Sequence, residues 1–192
     1  NGLKNSKVIG IAFDGTGLGD GNTLWGAEFL ICDYKSYKRA AHLKEVALIG
    51  GEKAVTEPYR LTLAWLYSIY KNRVLDLKID FIRKINRQKY RHLKKILLSG
   101  FNSPLSSSMG RLFDAVASLV LAKYDVGFEA ELAMSLEKLA LSYQLSAVSF
   151  QLPKARYGFK IVREKDKYVL DPGPMFKEII KDLKFGKPKE RI

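Results

Sequence analysis

Two short strings hold the residue types that could do chemistry. The first, Asp14-Gly15-Thr16-Gly17, follows the β-forming run Val8-Ile9-Gly10-Ile11-Ala12-Phe13. Glycines after a strand let backbone N–H groups approach phosphate oxygens closely. The Thr16 hydroxyl adds a donor, and the Asp14 carboxylate can hold a divalent cation, alone or with other ligands. Asp-Gly is also the commonest hairpin signal, so an ordinary turn is the competing reading. The string is neither a P-loop nor a G-x-G-x-x-G that opens a helix. The second string is Ser106-Ser107-Ser108-Met109-Gly110-Arg111-Leu112-Phe113-Asp114. Gly110 in a first helical turn costs helix stability, which makes sense if something must approach the backbone there. Free N–H groups at a helix start attract an anion. Arg111 and Asp114 are three apart, so a capped helix with a local ion pair is the plainer alternative.

Other chemistries lack their residues. The two histidines, His42 and His92, stand far apart, which leaves no metal-ligand spacing and no Ser-His-Asp or Cys-His arrangement. A single cysteine, Cys32, allows no disulfide framework and reads as a small core residue, in keeping with a reducing cytoplasm. The chain opens on Asn1 without a charged segment leading into an apolar one, so the start is trimmed or continues from something upstream. No apolar run approaches the length of a membrane span.

The elements that must position these residues follow from patterning. With 192 residues, 47% of them hydrophobic, the chain can bury one sizeable core. Residues 7–13 are nearly all apolar and read as a strand buried on both faces. Glycines 15, 17, 19 and 21 form a tight tip, and 23–34 return as a second strand. Helices are expected over 57–71, 76–98, 109–122, 129–144 and 172–183, with Ser107 and Ser108 as caps for the third. Segments 147–152 and 157–170 read as strands, and 184–192 as a frayed end. The order indicates a mixed α/β domain with a helical insertion: a strand-rich part over about 1–50, a helical part over 51–145, and a strand pair plus helix over 146–192. The net charge is +13, densest over 81–95, where Arg83, Lys84, Arg87, Lys89, Arg91, Lys94 and Lys95 meet no acid. Such a face can serve an anionic partner or simply be solvated. Only Phe81 and Tyr90 are interleaved with it, which is poor support for nucleic acid.

Taken together, the motifs resemble the HypF family of hydrogenase-maturation carbamoyltransferases, in its Kae1-like domain. IGIAFDGTGLGDGNTLWGAEFL over 9–30 is similar to that family's strand, DGTG and WGGEF signature. Gly50-Gly51-Glu52-Lys53-Ala54 and Glu57-Pro58-Tyr59-Arg60 resemble its GGD-A--EPWR segment, and NSPLSSSMGRLFDAVA over 102–117 its SSMGRLFDAVAAL string. Phe128-Glu129-Ala130-Glu131 resembles the start of its YEGQAAIELE helix. The resemblance implies part of an actin-like/Hsp70-like (ASKHA) nucleotide-binding fold, α/β with a helical insertion. It implies ATP and carbamoyl phosphate as substrates, a divalent metal ion, a carbamoyl-adenylate intermediate, and transfer to the C-terminal cysteine of a HypE-type partner in [NiFe]-hydrogenase maturation. By the same carry-over, Asp14 binds metal, Gly15, Thr16 and Gly17 face phosphates, and Gly110, Asp114, Glu129 and Ala130 face the nucleoside.

Departures from the pattern are Gly21-Asn22 for Asp-Gly, Ala27 for Gly, and Phe128-Glu129-Ala130 for Tyr-Glu-Gly. The family's metal-binding histidines lie before Asn1 and its last glycine-rich nucleotide segment lies beyond Ile192, so this piece alone is expected to have little transferase activity. The same residues also allow a tRNA threonylcarbamoyl transferase-like domain, a small-molecule O-carbamoyltransferase, or an inactive nucleotide-binding remnant.

Overall fold

The computed structural model describes residues 5–146 and 157–192. Strands β1 (Val8–Leu18), β2 (Leu24–Cys32), β3 (Tyr37–Leu43) and β4 (Val46–Ala47) come first. Helices α1 (Lys53–Thr56), α2 (Tyr59–Tyr70), α3 (Asp80–Arg83) and α4 (Arg87–Ser99) follow. After them come β5 (Leu105–Ser106), α5 (Met109–Leu121), α6 (Glu131–Ser146), β6 (Lys160–Glu164), β7 (Lys167–Asp171) and α7 (Gly173–Lys184). One mixed sheet runs β4-β5-β2-β3-β7-β6, with β1 antiparallel to β2. The late hairpin β6–β7 turns through Lys165 at φ 55° and joins the early strands through parallel β3–β7 pairing. The first and last thirds of the chain therefore share a sheet.

The core lies between the sheet and the helices. Trp65 of α2 stacks on Phe176 of α7 at 5.4 Å between ring centroids, and Leu61, Leu66, Leu119, Ile179 and Ile180 are buried around them. Each such side chain stabilises the fold by roughly 1.5–3 kcal/mol through removal from water. The Thr62 hydroxyl donates to the Ala115 carbonyl at 2.8 Å, which fixes α2 against α5.

Helices over 57–71, 109–122, 129–144 and 172–183 match α2, α5, α6 and α7 within two residues at each end. Other expectations are corrected. The stretch 76–98 is two helices, because Asn86 adopts an extended backbone and its side chain accepts from Gln88 and Lys89 N–H, starting α4 anew. The tip of the first hairpin is only Asp20–Asn22, while the strand continues through Asp14–Gly17. The run 7–13 is not buried on both faces. Among the described residues β1 is an edge strand with β2 as its one neighbour in the sheet, and Ile9, Ile11 and Phe13 are 74%, 61% and 58% exposed. Segment 157–170 holds a hairpin rather than a single strand, and the expected strand 147–152 lies outside the described residues. The tail 184–192 holds a 3-10 turn, Lys189–Arg191, with Ile192 packed on the core. Cys32 is only partly buried.

Candidate functional site

Asp14, Gly15 and Thr16 form a bulge inside the β1–β2 ladder. Phe13 pairs with Ala27 and Gly17 with Trp25, so β1 spends two more residues than β2 between these pairs. Bulges re-aim backbone and side chains, and often do so beside sites. Gly17 passes close to β2, since a Cβ there would lie 3.2 Å from the Trp25 carbonyl oxygen. Asp14 Oδ1 accepts from the Gly15 N–H at 2.6 Å, and the carboxylate and Thr16 are exposed.

The start of α5 lies against this bulge. Ser108 caps the helix by accepting from Arg111 N–H at 3.1 Å. Its hydroxyl also reaches the Gly15 and Asp14 carbonyls, at 2.5 and 3.1 Å. Two glycines make the approach possible. A Cβ on Gly110 would lie 2.8 Å from Gly15 Cα, and one on Gly26 would lie 2.6 Å from the Asp14 carbonyl and 2.9 Å from Ser108 Cα. A Cβ on Gly15, in contrast, meets nothing closer than Arg111 Nη2 at 3.7 Å.

One turn further on, Arg111 and Asp114 form a buried ion pair, Nη1 to Oδ2 2.9 Å. Burial pushes the Asp114 carboxyl above its ordinary value of 3.8. The Arg111 guanidinium pulls it down, and Glu129 raises it again. Arg111 Nη2 is 3.7 Å from the Glu129 carboxylate, and Arg111 Nε is buried without a hydrogen-bond partner. Ala130, next in the chain, has φ 63°, a conformation suited to glycine. Of the residues singled out in the sequence, Asp14, Gly15, Thr16, Gly17 and Gly110 thus meet at one place. Asp114 is reached through Arg111, and Glu129 and Ala130 lie at its far side.

A glycine-rich bulge with an exposed Thr16, set beside a capped helix start, suits a phosphate group chemically. For a cation, Asp14 offers one exposed carboxylate. Among the described residues no group of three or more His, Cys, Asp or Glu is placed to hold a metal ion.

Sequence reading missed the support beneath this site. Glu28, 3% exposed, takes Arg39 Nε and Nη2 at 2.5 and 3.0 Å and the Ser107 hydroxyl at 2.5 Å. Arg39 also donates to Ser107 Oγ at 3.1 Å and to Glu45 at 3.1 Å, and it lies over the Trp25 ring at 4.3 Å. Burial would raise the Glu28 carboxyl. The hydrogen bonds from Arg39 and Ser107, the Arg39 charge and the Gly26 N–H outweigh it and hold the group below 4.5. Ser107 therefore ties the serine string to β2 rather than capping α5. His42 is buried beside this cluster, with Nδ1 2.8 Å from the Leu43 carbonyl. The one available signal was the charged residue of Trp25-Gly26-Ala27-Glu28 inside an otherwise apolar strand.

Residues 10–192 match the family described as "Carbamoyltransferase, Kae1-like Domain, second subdomain". The chain is 39% identical over 139 residues to carbamoyltransferase HypF2 of Cupriavidus necator, covering 72% of this chain and 17% of that protein. It is 31% identical to carbamoyltransferase HypF of Synechocystis sp., over 93% of this chain and 24% of the relative. Full-length HypF in a phosphate- and nucleotide-bound form superposes with a TM-score of 0.80 at 37% identity, over 97% of this chain and 23% of that one. T. kodakarensis HypF superposes with a TM-score of 0.75 at 26% identity, over 96% of this chain and 24% of that one. The chain thus spans about a quarter or less of these relatives. Its mixed sheet with flanking helices is part of the actin-like/Hsp70-like nucleotide-binding fold of their Kae1-like domain. With the family description matched over nearly its whole length, the chain belongs to the HypF carbamoyltransferases, as a segment of their Kae1-like domain.

Proposed function

We propose that this segment supplies a nucleotide-phosphate cradle to an ATP-dependent carbamoyltransferase of hydrogenase maturation. Within the longer protein, water cleaves carbamoyl phosphate to carbamate and phosphate, carbamate displaces pyrophosphate from ATP to give a carbamoyl-adenylate, and the carbamoyl group passes to the C-terminal cysteine thiol of a HypE-type partner, with AMP and the thiol proton leaving. The Gly17 N–H holds a phosphate oxygen, joined by the Gly15 N–H and the Thr16 hydroxyl as these exchange their local partners, Asp14 Oδ1 and the Gly15 carbonyl, for phosphate. Gly110 lets the start of α5 pack against the bulge, which brings the helix N-terminus to the same group. Asp114, oriented by Arg111, faces the nucleoside with Glu129 and Ala130. Asp14 offers one ligand to a divalent cation, which would offset phosphate charge.

The observation that carries the reading is the contact of the Asp14–Thr16 bulge with the capped start of α5. There the Ser108 hydroxyl holds the Asp14 and Gly15 carbonyls, and no Cβ separates the positive end of α5 from the bulge. The test is the Asp14→Ala variant in a full-length family enzyme containing this segment. Carbamoyl transfer is expected to be lost and magnesium-dependent nucleotide affinity to fall, with the unfolding midpoint retained. Transfer at the unmodified rate would remove Asp14 from the mechanism.

A further inference from the structure

The bases of residues 81–95 gather at a place separate from the bulge. A groove of about 730 Å³ lies between α4 and the start of α2, with Glu57, Arg60, Asn86, Lys89, Arg91 and Lys95 in its lining. None of these residues belongs to the nucleotide cradle. Arg60 is held by Glu57 at 2.6 Å. Lys89, Arg91 and Lys95 form no ion pair with a described residue, although Arg39, Lys44, Arg111, Lys123 and Lys187 all do. Their placement also works against the fold. The first turn of α4 carries Arg87 and Lys89 and no acid, where the helix dipole favours negative charge. An external anion would relieve that arrangement.

We propose that this groove is a docking surface for an acidic segment of a partner protein. Its size exceeds the needs of a single phosphate. Lys89 to Lys95 span about 9 Å along the helix axis, on the scale of alternate side chains in an extended peptide at ~7 Å. The Gln88 side-chain amide, also in the lining, suits a peptide backbone, while the Asn86 side-chain oxygen is taken up in capping α4. Single-stranded nucleic acid fits less well, because its binders stack bases on exposed aromatic rings. Here Tyr59 is 6% exposed and turned edge-on to Tyr124, and Tyr90 is buried.

The test titrates this chain with a fluorescein-labelled oligoglutamate peptide and with a labelled single-stranded oligonucleotide of equal charge, following anisotropy at low and moderate salt. Two triple variants are compared, K89E/R91E/K95E in the groove and K160E/K177E/K181E elsewhere, which change net charge equally. The peptide is expected to bind in a salt-dependent manner, with affinity reduced about tenfold or more by the groove variant and much less by the matched one. Circular dichroism melts establish that both variants fold. Failure of the peptide to bind at low salt, equal loss in both variants, or tighter binding of the oligonucleotide would each overturn the proposal.

Discussion

Gly110 and Gly15 meet backbone to backbone across the junction of β1 and α5, with room for no Cβ on Gly110, whose position would be 2.8 Å from Gly15 Cα. A first-turn helical residue normally gains from replacing glycine by alanine, up to about 1 kcal/mol. Here the neighbour is backbone and cannot rotate away. Gly110→Ala is therefore expected to destabilise by about 1–3 kcal/mol in urea unfolding, as overpacking does. A stabilised variant would show that the two segments do not touch.

The serine that joins them is expected to matter more than an ordinary cap. Ser108→Ala removes the acceptor for Arg111 N–H and the donor to the Gly15 and Asp14 carbonyls together. A cost of about 1–2 kcal/mol is expected, with faster amide exchange across Gly15–Gly17. Loss of stability without a change in exchange at the bulge would separate the cap from the site.

Ala130 gives the opposite sign. Its φ of 63° places an alanine where glycine is at ease. Ala130→Gly is expected to stabilise by about 0.5–1 kcal/mol in thermal or urea unfolding. A destabilised variant would mean that the left-handed conformation at this position is absent.

Below the site, Glu28 sets an acid limit. Its folded pKa is held under the ordinary 4.5, so its contribution to stability is complete above that value and disappears as pH falls through the lower folded value. Asp114 runs the other way: with its folded value raised above 3.8, ionisation as pH rises weakens the fold. Replacing Glu28 by Gln is expected to cost about 3 kcal/mol near neutral pH, because the Arg39 charge loses its partner. It should also flatten the fall in stability below pH 4.5 measured by urea unfolding. A variant with the wild-type acid limb would assign that limb to other carboxylates.

How far the sequence reveals this molecule depends on where the controlling interaction lies. Helices α2, α5 and α7 were legible because their apolar spacing and flanking residues are local. The strings Asp14–Gly17 and Ser106–Asp114 could be picked out one at a time, but nothing local says that they touch. That contact depends on Gly26, an inconspicuous residue of β2, leaving space for Ser108. Burial of β1 was misread for a related reason. An apolar run records what a strand can pack against, not whether another element lies over it. The split near Asn86 was missed because one side-chain cap outweighed a continuous helical pattern. Arg39 lies eleven residues from Glu28 in sequence, and only the β2–β3 pairing brings them together.

The central claim is that the bulge after β1 receives the phosphates of a nucleotide, and Gly15→Ala tests it most directly. An alanine methyl fits there, 3.7 Å from Arg111 Nη2, so the fold should keep its stability within about 0.5 kcal/mol. The same methyl would stand in the proposed path of a phosphate oxygen. In a titration of the ¹⁵N-labelled chain with a non-hydrolysable ATP analogue and magnesium, the largest amide shifts are expected at Gly15, Thr16, Gly17 and Gly110. They should weaken about tenfold or more in the variant, about 1.4 kcal/mol or more of binding. Shifts at those amides that are absent, or that follow the same binding curve in Gly15→Ala, would contradict the account.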